Sequence, residues 1–450
     1  MSKQDQFEVV QTTGDSLALQ HYDRALSKLL TLNNDPLAEA DRSLASDPGF
    51  AMPHVLKGLA SVLGTDTSLH ADARRALAAA ETATDRQPVS RDLAHVAALR
   101  SWLAGDFHDA VASWERVLVE FPNDALAMFA AHQADFLLGS SSELRDRVAR
   151  RLPEIAVGTP LRGYYEGMYA FGLEETGDYA RAIDAGVQAV DSDRRDAWAI
   201  HAVAHVYEMT NLLAEGEGWL TSRVQDWDTD NFFSIHNWWH LALYRLDQER
   251  WQDVLDLYDQ RIRRNDSAVV FDLLDASALL WRLKLQEVEV GDRWLRLAEL
   301  WEPHLDDAWY AFNDMHAMMS FAGAGRRDLA QHLLDRLERT ALGSSPNAAM
   351  TRSVGLPVGR ALLAFADGRY GEAVDLLLPV KAIAARAGGS NAQRDVIGWT
   401  LLAAARRSGA GSLARALLNE RLAWKPASPL NLAWQRRLHG DAGNRNRPGA

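Results

Sequence analysis

Two histidine pairs carry the most chemically suggestive spacing in this sequence. His201 and His205 lie in DAWAIHAVAHVYEM, and His236 and His240 lie in FFSIHNWWHLALYRL. Each pair reads His-x-x-x-His within an apolar-periodic stretch, so on a helix both imidazoles stand on one face, one turn apart. Glu208 falls two turns after His201 and extends the first stripe. The second pair begins 35 residues after the first. Four imidazoles and a carboxylate on one surface suit two kinds of chemistry. Histidine titrates near neutrality and can give or take a proton. Neutral imidazoles can also hold a divalent metal, with His201, His205, His236 and His240 as the candidate ligands. The spacing fits a metal without requiring one, so the cofactor stays open between a divalent ion and none. The competing reading is packing, in which each histidine is a core residue satisfied by a neighbouring carbonyl.

The elements that must position these side chains are helices. From His21 onward nearly the whole chain scans as amphipathic helix with a 3.6-residue period, rich in Ala and Leu. VVFDLL at 269–274 is the best strand candidate, and it runs straight into a helical pattern. Short breaks with Gly, Pro, Asn or Asp divide the helices into hairpins. Gly-x-aromatic-x-x-Ala recurs at Gly105/Phe107/Ala110, Gly177/Tyr179/Ala182 and Gly368/Tyr370/Ala373. Degenerate copies are Leu213 with Gly216, Trp251 with Val254, and Arg327 with Ala330. Pro48, Pro88 and Pro122 stop second helices. This is the tetratricopeptide pattern, stretched in several copies beyond its usual length of about 34 residues. The expected fold is all-α: an α-solenoid of atypical tetratricopeptide-like hairpins over 16–439, with a seam near 341–357. A polar lead-in occupies 1–15 and a disordered tail 440–450.

In such arrays the first helix of each hairpin lines a concave face. The turn-based register puts His201, His205 and Glu208 on that face, with His236, Trp239, His240 and His316 near it. One residue of turn length would rotate the second set by about 100°. Periodicity adds His95, Tyr165 and Tyr169 before the first pair, and Asp272, Asp275, Asn313 and Asp314 after the second. In GGSNAQRD, residues Gln393, Arg394 and Asp395 open a helix, where backbone N–H groups and an arginine would suit an anion. The expected roles divide accordingly. His201, His205, Glu208, His236, His240, His316 and Asp314 would supply acid–base groups. Tyr165, Tyr169, Trp239, Asp272, Asp275, Asn313, Gln393, Arg394, Asp395 and His95 would bind substrate.

Composition bounds the partners. The 450 residues carry a formal net charge of −13, which disfavours nucleic acid and anionic membrane surfaces. There is no cysteine, so disulfides, thiolate metal sites and cysteine nucleophiles are excluded. No segment offers 18 uninterrupted apolar residues and MSKQDQFEVV has no apolar core of a signal peptide, so the expected location is cytoplasmic. P-loop, dinucleotide-fold, G-x-S-x-G and H-E-x-x-H signatures are missing.

Several stretches resemble the tetratricopeptide repeat protein 38-like proteins: AHVAALRSWLAGDFHDAVASWERVLVEFPNDALA, YEGMYAFGLEETGDYARA, DAWAIHAVAHVYEM, HNWWHLALYRL, FNDMHAMM and GGSNAQRD. They run from about residue 90 to 405. The resemblance implies a solenoid of atypical repeats and transfers no catalytic set. One departure is Asn391, where the resemblance implies a histidine. The sequence therefore reads as an enzyme or small-molecule binder using histidine acid–base or metal chemistry on a ligand in the concave face. The alternative is a non-catalytic scaffold whose groove takes a peptide or protein partner.

Overall fold

The hairpin turns explain the architecture. At each Gly-x-aromatic motif the glycine takes a left-handed conformation, with φ of 86° at Gly105, 84° at Gly177 and 78° at Gly368, and Gly325 of the degenerate Arg327 copy does the same at 71°. The remaining degenerate copies keep the geometry with other residues, Asn211 at 60° and Glu249 at 56°. In each case the next N–H reaches back to a carbonyl five residues earlier. Examples are Asp106 to Ser101 (2.9 Å), Asp178 to Leu173 (2.9 Å) and Leu212 to Tyr207 (2.9 Å). This bond satisfies an otherwise orphaned helix-end carbonyl and aims the following helix back along the first. The small residue of the motif then lands in the packed seam: Ala110, Ala182, Val254, Ala330 and Ala373 are all fully buried.

The computed structural model describes residues 3–445. It is an all-α helical repeat fold built from helix hairpins. The chain forms two compact units. One runs up to Val206 and includes Arg223–Ser234; the other holds Tyr207–Ser222 and continues from Ile235. Among the described residues, no helix is long and apolar enough to cross a membrane.

In the first unit, helices Ser90–Leu103 and Phe107–Glu120 form one hairpin, followed by Ala125–Leu137, Ser141–Arg151, Pro160–Glu175 and Tyr179–Ser192. Thr159 caps Pro160–Glu175, whose first residue is the proline that suits that place. The segment expected to be only a polar lead-in is an ordered two-stranded hairpin, Lys3–Gln4 against Val10–Gln11. It buries Phe7 and Val9, and its Asp5 accepts from Phe7 N, Val9 N and Gln11 Nε2.

Close approach explains one glycine in the same unit. A Cβ on Gly172 would stand 2.5 Å from Arg145 N and 2.5 Å from the Leu144 carbonyl carbon, both backbone atoms. Gly172→Ala gains about 1 kcal/mol of helix propensity, but backbone cannot step aside as a side-chain tip can. The expected outcome is a net loss of about 2–3 kcal/mol in urea unfolding; a neutral or stabilising result would refute the close packing.

In the second unit 269–274, the best strand candidate of a chain expected to be all-α, opens helix Val270–Leu285, the helical pattern it runs into. Only its first residues are β-branched, and Leu273, Leu274 and Leu280 are buried along it. The segment 341–357, expected to be a seam, lies inside this unit. It comprises helix Pro346–Met350, a π turn Thr351–Gly355 and the start of helix Leu356–Ala366. The last helix, Pro429–Arg445, takes in the first part of the expected tail, and 446–450 lie outside the described residues.

Candidate functional site

Each histidine pair sits on one helix as its spacing requires. In the first unit, His201 and His205 lie on Ala197–Met209 with ring centroids 4.4 Å apart. Both are buried. Phe171, Trp198 and Phe233 surround His201 at 4.9–5.6 Å between ring centroids. His205 Nδ1 is 3.3 Å from Glu174 Oε2. In the second unit, His236 and His240 lie on Ser234–Asp247 with ring centroids 4.8 Å apart. His236 stacks on Trp239 and donates from Nδ1 to both Asp275 oxygens, at 2.9 and 3.0 Å. His240 donates from Nδ1 to Glu208 Oε2 at 3.0 Å. The register thus turns both pairs into packed interior, each with its own carboxylate, where the sequence expected an open face. The sequence expected the two pairs to share one site; His201 and His205 belong to the first unit, His236 and His240 to the second.

The other expected residues separate into packing and cleft. His95 is buried and its Nε2 donates to Asp124 at 3.1 Å. Burial would raise the Asp124 carboxyl, but His95 and Arg91 overcome it and hold it at about 2. His95 is therefore a staple between Ser90–Leu103 and Ala125–Leu137, in place of the expected substrate contact. Tyr165 is fully buried, and burial pushes its hydroxyl pKa far up, so it is part of the core. Tyr169 is half-buried and takes a hydrogen bond from Arg181 at 2.5 Å. His316 is buried and donates to its own helix, Nδ1 to Phe312 O at 2.8 Å. Burial pulls its pKa to about 4, which keeps it neutral at physiological pH and removes it from acid–base work. Asp314 is buried as well, and burial lifts its carboxyl to about 8. Asp272 is raised to about 6, first by burial and then by neighbouring Asp275. Asp275 is also raised by burial, against the opposing pull of His236. Asn313 is half-buried on Ala311–Gly323. Trp239 is fully buried beneath His236, with Arg282 5.4 Å from its ring.

Three expected residues do reach open space together. A cleft of about 610 Å³ in the second unit is lined by Glu208, Arg394 and Asp395, along with residues the sequence reading missed. Those include Lys381, Asn391, Glu420, Arg421, Trp424 and Lys425. Gln393 is adjacent but structural: with Ser390 it forms a capping box at the start of Asn391–Arg407. Arg394 bonds Gly389 O and, at 2.8 Å, Asn391 Oδ1. Asp395 is gripped by Arg421 through two bonds of 2.6 and 2.8 Å, so its expected substrate contact is taken by a salt bridge. Burial opposes ionisation there, yet Arg421 wins and the carboxyl stays at about 2. Lys381 pairs with Glu420. Lys425 Nζ stands 3.9 Å from Glu208 Oε1. Behind the wall, buried Arg282 donates to the Ala392 carbonyl at 2.7 Å. Apolar walls come from Ala382, Ala385, Ile397 and Leu417, and Trp424 stands 69% exposed at the edge.

Glu208 is the link between the histidine chemistry and this cleft. One oxygen receives the His240 proton donor from the interior and the other faces Lys425. The local signal for the missed residues was present: Arg421 and Lys425 are four apart, on one face at the end of Gly411–Trp424. That face pointed nowhere in particular until Glu208 was brought beside it.

Hairpins closed by left-handed turns, with a small residue packed at each seam, define a helical repeat protein. No family model matches the chain. Among solved structures the chain is similar to the yeast Tom70 crystal structure, at 14% sequence identity and a TM-score of 0.27, covering 97% of this chain and 98% of that one. The fold assignment rests on the helices and turns of this chain.

Proposed function

We propose that this helical repeat protein binds a small anionic molecule in the cleft of its second unit, and that Glu208 exchanges a proton with it. The observation that carries the reading is the Glu208 carboxylate, held from behind by buried His240 and facing Lys425 in the cleft. A volume near 600 Å³ is in the range of small-molecule sites. Lys381, Arg394, Arg421 and Lys425 supply positive charge at its wall, and the alanines and Ile397 supply apolar contact. Glu208 is the candidate catalytic residue, and His240 is a positioning residue that fixes its rotamer and shares its proton. The six sequence stretches quoted for the resemblance support placing the chain close to the tetratricopeptide repeat protein 38-like proteins, acting in the cytoplasm.

Calorimetric titration of the full chain with citrate, succinate and inorganic phosphate tests the reading. At least one should bind, and Lys425→Gln and Arg394→Gln should each weaken it tenfold or more, about 1.4 kcal/mol. Rising salt should weaken it further. Binding that ignores both substitutions, or no binding of any of the three, overturns the proposal. A second reading, an acidic peptide partner, is favoured by exposed Trp424 beside these cations. A glutamate-rich octapeptide that binds where the three small anions fail, and loses affinity in Trp424→Ala, would select it.

A further inference from the structure

A group of metal-type donors lies in the first unit, whereas the cleft belongs to the second. Glu174 and Glu175 are the last two residues of helix Pro160–Glu175, and His205 lies on Ala197–Met209. All three are buried, and one ligand atom from each lies within 4.8 Å of the other two. The glutamates stand at the carbonyl end of their helix, where the macrodipole is negative and an anion is disfavoured. Burial adds a desolvation cost to two adjacent carboxylates. His205 is held in place by the edge-on ring of Phe171 at 5.3 Å, with Nδ1 turned to Glu174.

The geometry points to a divalent transition-metal site formed by Glu174, Glu175 and His205, clipping the end of one hairpin to the next. Two carboxylates and an imidazole are a donor set for Zn²⁺ or Mn²⁺. Ligands at about 2.0–2.2 Å from one ion stand about 3.3–3.6 Å apart at a tetrahedral angle; Glu174 Oε2 and His205 Nδ1, at 3.3 Å, already meet that spacing, and side-chain rotation brings Glu175 in from within 4.8 Å. The site stands apart from the cleft reading, and its test reads metal instead of anion.

The full chain, purified without a histidine tag and dialysed against EDTA, is titrated calorimetrically with Zn²⁺ and separately with Mn²⁺. One ion per chain is expected, with a rise in melting temperature as the ion is added. Glu174→Gln and Glu175→Gln keep the side-chain shape and should each weaken binding tenfold or more. His205→Gln should do the same, and far-ultraviolet circular dichroism checks that each variant is folded. His240→Ala should leave the affinity unchanged. Three results overturn the site: no binding of either ion, unchanged binding in Glu174→Gln, or binding lost equally in His240→Ala.

Discussion

Asp314→Asn is expected to flatten the fall in stability between pH 4 and pH 8. Asp314 is 4% exposed, and burial lifts its carboxyl from the ordinary 3.8 to about 8. Between those two values the folded chain holds a proton that the unfolded chain has released. Unfolding then gives up a proton, so stability declines as pH rises and is fully present only below about pH 4. The slope this one group contributes approaches about 1.4 kcal/mol per pH unit across the window. Asparagine keeps the shape and cannot ionise, so the variant should resist urea better than the wild type at pH 8 and about equally at pH 4. Asp196, raised by burial to about 7, adds a smaller decline of the same sign that the variant retains. Equal slopes in wild type and variant from pH 4 to 8 would show that Asp314 is ionised in the folded chain at little cost.

His236→Ala is expected to cost about 3–5 kcal/mol at neutral pH, the amount lost when one partner of a buried pair is removed. Asp275 is 1% exposed and takes two hydrogen bonds from the His236 ring. Without the ring, burial raises the carboxyl further against only the smaller pull of Arg282, and an ionised Asp275 is left in the interior. The paired replacement His236→Leu with Asp275→Leu removes both polar groups, and most of the lost stability should return. Urea denaturation of His236→Leu, Asp275→Leu and the double variant gives the coupling directly. Should the double variant remain as unstable as His236→Ala while citrate or phosphate binding disappears, the pair belongs to the ligand site as well as to the core.

Part of the candidate site was legible and part was not, for reasons that can be named residue by residue. Helical phase is local. His201 with His205, and His236 with His240, stand one turn apart because four residues make about one turn, and the same arithmetic linked Glu208 to the first stripe. What phase does not carry is which side of a helix meets solvent. The register placed Tyr165 and His95 on a binding face, yet both are core, because neighbouring helices cover their helices on more than one side. His316 was read as an acid–base group from its spacing, and its bond to the Phe312 carbonyl one turn back shows the ordinary fate of a histidine on an apolar helix. Glu174 and Glu175 were passed over because two glutamates before a turn look like a solvated helix end.

By itself the sequence determined that this is an all-α repeat chain and where its hairpins turn. A left-handed residue closing one helix two positions before an apolar residue opens the next is a local, steric requirement, and even Asn211 and Glu249 obey it without glycine. Only the tertiary structure decided that Glu208 meets Lys425, that Arg421 grips Asp395, and that Glu174 faces His205. Those pairings join separate helices whose mutual rotation depends on side-chain volumes at every seam between them, and no spacing along one helix encodes that sum.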